Sequence, residues 1–153
     1  MPLRNREELV EEFHGGMGQP ISSSMTDSKL FELRWKLIRE EMKELEDEFS
    51  AATVDIKRGR IPENMEQIFK ELADLQYVIS GFAVTYAINL DEVVRQVHTS
   101  NMSKLENGKP VFRDDGKVLK GKNYKPPQLS ELVNEMWETI NLRRSGVKNE
   151  IRF

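Results

Sequence analysis

Leu37-Ile38-Arg39-Glu40-Glu41-Met42-Lys43-Glu44-Leu45 and, further along, Glu71-Leu72-Ala73-Asp74-Leu75 decide how this chain folds. At about 100° per residue, Leu30, Leu33, Leu37, Ile38, Met42, Leu45 and Phe49 fall on one arc, so Leu30 to Phe49 reads as a helix. Lys36, Arg39, Lys43 and Glu46 fill the opposite side. Glu41, Glu44 and Glu48 intrude on the apolar arc, and Glu40 lies at its edge. In the second stretch Glu71 sits among Leu72, Leu75, Ile79 and Phe82, and Asp74 flanks them. Acids three residues apart share a helix face. Buried unpaired carboxylates are costly, so acids so placed are expected to be paired, protonated or metal-bound.

Working outward, Arg6 to Phe13 reads as a short helix, broken by Gly15-Gly16-Met17-Gly18-Gln19-Pro20. Asp27 or Ser28 is placed to cap the long acidic helix, which is expected to run to about Ala52. Val54 to Pro62 reads as a connector. A third helix is expected from Glu63 to Ile88, and a fourth, capped by Asp91, from Glu92 to about Lys104. The turn signals Asn107-Gly108 and Asp115-Gly116 then mark a basic appendage, over 105–128, that is turn-rich or a small β-ribbon. Ser130 is placed to cap a last helix, over 130–145, with Leu132, Val133, Met136, Trp137 and Ile140 on one face and Gly146 as its stop. The expectation is one all-α domain over 1–153: a bundle of about four core helices, over roughly 30–104, with the appendage and a C-terminal helix added.

The composition bounds the chemistry. The chain has 153 residues, of which 32% are charged, and no cysteine, which removes disulfides, thiolate zinc sites and a cysteine nucleophile. The formal charge of −3 gives no reason to expect a nucleic-acid polymer as partner. Met1 to Phe13 is charged throughout and has no secretory pattern, so a cytoplasmic setting is expected. The longest uncharged run, Leu75 to Leu90, is shorter than the ~18 residues of a membrane span. Its apolar surface extends round the helix, so a buried or subunit-interface helix is expected, and with it a homo-oligomer.

Glu41, Glu44, Glu71 and Asp74 concentrate negative charge that cannot all stay ionised without cations. Two readings stand on the residues alone. One is a magnesium site clamping a polyphosphate. The other is a set of acids paired with Lys and Arg, in a helical interaction module. A di-iron site would need Glu-x-x-His on two helices. Glu44 and Asp74 occupy the corresponding positions, and neither His14 nor His98 has the spacing, so the oxygen-only set favours magnesium or manganese. Between Asn101 and Lys125 there are seven Lys or Arg against three acids. Within that stretch Asn101, Lys104, Lys120 and Tyr124 offer phosphate-binding cations, amide donors and a ring for a base. Phe13, Trp35 and Tyr77 also offer rings, with core packing the expected role of Phe13 and Trp35. There is no P-loop.

The order Glu40-Glu41-x-x-Glu44, Glu71-x-x-Asp74 and Asn101-x-x-Lys104, followed by Gly116-Lys117-Val118-Leu119-Lys120-Gly121 and Tyr124-x-Pro126-Pro127, resembles the all-α NTP pyrophosphohydrolase superfamily. That superfamily includes MazG-like proteins, dimeric dUTPase-like proteins and phosphoribosyl-ATP pyrophosphohydrolase. The likeness covers about Leu30 to Leu129. It implies cleavage between the α and β phosphates of a nucleoside triphosphate, giving a monophosphate and pyrophosphate. It also implies magnesium on Glu41, Glu44, Glu71 and Asp74, with Glu40 as the residue that orients or deprotonates water. Asn101, Lys104 and Lys120 would take phosphate oxygens, and the assembly would be a homodimer or homotetramer. Phosphoribosyl-ATP is the alternative substrate.

Overall fold

The computed structural model describes residues 4–145 and is all-helical among them. Helix α1 (Arg6–Met17) opens with a capping box: the Glu8 amide donates to Asn5 Oδ1 at 2.9 Å, and the Asn5 amide donates to Glu8 Oε2 at 2.8 Å. It does not stop at Phe13. Gly15 and Gly16 continue it, and Gly18 ends it in the left-handed region at φ 64°.

Helix α2 (Ser28–Lys57) is capped by Asp27, which accepts from the Leu30 amide at 3.1 Å, and outruns its expected end at Ala52. Helix α3 spans Met65–Thr85, α4 Leu90–Met102 and α5 Ser130–Arg144. The α4 cap is Asn89, accepting from the Glu92 amide at 3.2 Å; Asp91 lies inside the first turn. Ser130 likewise is the first residue of α5 and not its cap. The expected stop at Gly146 lies outside the described residues.

Helices α2 and α3 form an antiparallel pair. The Asn64 amide at the start of α3 donates to the Glu48 carbonyl at 3.0 Å and to the Glu48 carboxylate, which accounts for one acid on the apolar arc. Helix α1 lies on α3, where Ser80 Oγ donates to the buried Glu7 carboxylate at 2.9 Å and Phe13 meets Tyr77 edge-on. The loop between α1 and α2 is tied to the end of α3 by Ser22 N–H to Val84 O at 3.1 Å and Ser23 N–H to Thr85 O at 2.6 Å. Met136 and Ile140 of α5 pack with Ala87, Met25 and Ile88, whereas Val133 and Trp137 are exposed, so the expected five-residue face is only partly buried.

The appendage is turn-rich and has no strand among the described residues. Its only pairing consists of two isolated bridges, Glu106 with Lys109 and Phe112 with Val118. Too few ladder bonds form here to make a ribbon. The apolar run from Leu75 to Leu90 is largely covered within the chain: Ser80, Gly81 and Ala83 through Ala87 are buried. Exposed apolar surface lies elsewhere, with Ile61, Phe69 and Ile56 at 87%, 65% and 61% exposure. Trp35 and Phe13, expected in the core, are exposed as well. Among the described residues no helix is long and apolar enough to cross a membrane.

Candidate active site

The α2–α3 register brings acids from both helices together. Carboxylate oxygens of Glu41, Glu44 and Glu71 lie within 4.8 Å of one another. Glu71 is buried, Glu41 half-buried and Glu44 exposed, so the cluster opens from the helix interface to solvent. Burial, and then the charges of Glu44, Asp74 and Glu71, push the Glu41 carboxyl above its ordinary range, against the opposing pull of Lys70. Asp74 therefore belongs to the same electrostatic group.

Lys70 is the cation at this site. Its ammonium reaches Glu71 Oε1 at 3.0 Å and Asp74 Oδ2 at 2.7 Å, and both hydrogen bonds raise its pKa. The i,i+4 spacing to Asp74 was the available signal for it. Glu71 Oε2 is buried and has no hydrogen-bond partner. An orphaned carboxylate oxygen beside two further carboxylates fits a hard cation with oxygen ligands. Glu41, Glu44 and Glu71 could thus hold a metal ion, with Asp74 in reach of the same charge.

Glu40 is placed differently. It faces solvent, pairs with Lys36 at 3.4 Å, and lines an open groove on α2 with Trp35, Lys36, Arg39, Lys43 and Glu44. Glu44 belongs to both groups and is the link between them. The groove's cations are the face of α2 that periodicity assigns simply to solvent.

The four residues of the basic constellation also meet, but at the end of α4. Lys104 Nζ donates to Asn101 Oδ1 at 2.6 Å, and Lys120 Nζ stands 4.5 Å over the Tyr124 ring. A hydrogen bond with Ser100, then the charges of Lys120 and Lys104, lower the Tyr124 pKa. The appendage is strapped to α4: Ser100 Oγ donates to Lys125 O at 2.7 Å and the Lys125 amide to Ser103 Oγ at 2.8 Å. Gly121 fits beneath it because a Cβ there would meet Glu106 Cγ at 2.5 Å and Lys104 O at 2.7 Å. Among the described residues, no hydrogen bond or ion pair joins this basic group to the acidic one.

Residues 10–101 match the family model of phosphoribosyl-ATP pyrophosphohydrolase. The chain belongs to that family. It is accordingly a pyrophosphohydrolase, a hydrolase acting on acid anhydrides, within the MazG-like superfamily. The match takes in α2, α3 and the whole acidic cluster. It ends at Asn101, before Lys104 and the appendage. No curated protein matches the chain.

Proposed function

We propose that the protein is a magnesium-dependent nucleoside triphosphate pyrophosphohydrolase, cleaving the α–β bond of a nucleotide to a monophosphate and pyrophosphate. The observation that carries this is the convergence of Glu41, Glu44 and Glu71 around a buried, unpartnered Glu71 oxygen, in a chain of pyrophosphohydrolase descent. Glu41, Glu44, Glu71 and Asp74 would hold magnesium, or manganese in its place. The bound ion would neutralise phosphate charge and lower the pKa of a coordinated water.

The protein's own groups divide the remaining work. Glu71, fixed by burial, sets the position of the acidic cluster, and the exposed Glu44 meets the arriving phosphates' counter-charge at its rim. Glu40 orients or deprotonates the attacking water from the α2 groove that it shares with Glu44. Asn101, Lys104 and Lys120 bind phosphate oxygens and Tyr124 contacts the substrate. Among the described residues the two groups share no hydrogen bond or ion pair, and large apolar residues of α2 and α3 are exposed. Both points support a homodimer or homotetramer, and a cytoplasmic setting is part of the same reading. Phosphoribosyl-ATP is the second substrate reading, favoured by the family description.

The test is pyrophosphate release from a nucleotide panel with magnesium, for the native protein and for Glu41→Gln and Asp74→Asn made separately. Unchanged turnover in both variants, with the helical fold intact, would sink the site.

A further inference from the structure

Asn64 is the cap residue of α3, yet its side chain makes no capping hydrogen bond. An asparagine at this position ordinarily accepts from an amide of the helix it opens. Here the side-chain amide turns back to α2 instead, donating to the Glu48 carbonyl at 3.0 Å and to the Glu48 carboxylate. Both residues are half-buried. Among the described residues, no other hydrogen bond and no ion pair joins α2 to α3 or its cap.

This contact shares a register with the acidic cluster. Glu41 lies seven residues before Glu48, and Glu71 lies seven residues after Asn64. In an antiparallel pair those two steps run in the same direction in space, roughly 10 Å along the helices. Two turns from the Asn64–Glu48 contact, therefore, Glu71 meets Glu41 and Glu44 within 4.8 Å. On the far side of the cluster α2 and α3 touch through Phe31 and Phe82, edge-on with ring centroids 5.6 Å apart. Apolar burial is not directional and lets one helix slide along the other. A hydrogen bond is short and angle-dependent, so it fixes the offset.

Offset is what the cluster requires. Glu41 and Glu44 are held relative to each other by α2 alone. Glu71 reaches them only while α3 keeps its height against α2. Metal ligands must sit within about 0.2 Å of their proper distances, whereas one residue of helix slip is about 1.5 Å.

We propose, on the footing of the metal reading above, that Asn64 is a positioning residue for the metal site: through Glu48 it sets the α2–α3 offset that brings Glu71 to Glu41 and Glu44. Glu48 serves as a hydrogen-bond acceptor and not as a metal ligand. That role explains an acid on the apolar arc of α2 that stands outside the cluster.

Calorimetric magnesium titration tests this. Asn64→Ser keeps a good helix cap but is too short to span to Glu48. Its magnesium affinity should fall at least about fivefold, near the lower end of what lost ligand positioning costs a metal site. Glu48→Gln keeps an acceptor for the Asn64 amide and removes a charge about one Debye length from the ion, so its affinity should stay within about twofold of native. Asn64→Asp combined with Glu48→Gln exchanges donor and acceptor at constant net charge and should recover most of the affinity. Native affinity in Asn64→Ser, whatever its Tm, overturns the proposal. So does a loss in Glu48→Gln as large as that in Glu41→Gln, or an exchanged pair no better than Asn64→Ser.

A second measurement needs no metal. The chain has no cysteine, so spin labels at Arg39→Cys and Ala73→Cys report the α2–α3 offset by pulsed EPR. The distance distribution should be narrow with Asn64 present and displaced or broadened by Asn64→Ser. If the native protein binds no magnesium, the metal reading fails and this distribution decides whether Asn64 sets the offset: a distribution unchanged by Asn64→Ser rejects it. If Asn64→Ser does not fold, Glu48→Ala, which keeps only the carbonyl bond, replaces it in both measurements. A smaller loss is then expected, and no change in either overturns the proposal.

Discussion

The Lys70 ammonium stands 2.7 Å from Asp74 Oδ2 while also reaching Glu71, so one side chain neutralises acids from two turns of α3. A divalent ion on these carboxylates would have to compete with it. Lys70→Met should therefore tighten magnesium binding modestly, roughly two- to threefold given the solvent exposure of the lysine. Calorimetric titration of the native and variant proteins measures this. Equal affinities would mean that Lys70 stays clear of the metal ligands.

Glu41→Gln removes a charge from a crowded cluster. Metal-free thermal stability should hold or rise, because the lost carboxylate is repelled by Glu44, Asp74 and Glu71. Metal-dependent pyrophosphate release should fall by at least about a hundredfold. The pairing of unchanged or higher Tm with lost activity separates a functional acid from a structural one. A metal-induced rise in Tm that survives the substitution would remove Glu41 from the ligand set.

The raised pKa of Glu41 also sets a pH dependence. Its native-state pKa lies above the ordinary 4.5, so in metal-free protein its favourable contribution is present below 4.5 and is lost as pH rises through the native value. At neutral pH the ionised group is a net cost. Divalent ions relieve that cost, and protons compete with them. The magnesium-induced rise in Tm should accordingly grow as pH increases from about 4.5 toward neutrality. A shift independent of pH over that range would show that Glu41 does not couple to the ion.

Gly121→Ala should detach the appendage from α4, because the new methyl would press on the Lys104 carbonyl as well as on Glu106. Backbone cannot turn aside as a side chain can, and overpacking of this kind costs about 1–3 kcal/mol. The helices outside the appendage should be unaffected. The expected signature is a KM raised about tenfold with kcat nearly kept, if Lys120 and Tyr124 bind substrate. An unchanged KM would place those two residues outside the substrate site.

Phe69 projects from α3 with 65% of its surface exposed. Phe69→Asp should shift the species seen by light scattering from a dimer or tetramer to the monomer mass, because a charge in an apolar interface is left unpaired. A native protein that is already monomeric would refute the assembly.

Periodicity alone determined the all-α class, the existence of the five helices, and the acids that share a face: each is a property of a single helix repeating every 3.6 residues. Helix ends were less legible. Whether Gly15-Gly16 breaks or continues α1, or whether Asn89 or Asp91 caps α4, turns on one or two residues of local competition. The tertiary structure decided what the acids and cations meet. Register between antiparallel helices brought Glu71 to Glu41 and Glu44, took Glu48 to Asn64 and left Glu40 in an outer groove. The basic residues gathered at the end of α4. None of these encounters is written in any one helix. They depend on relative rotation and offset of helices, which only packing sets.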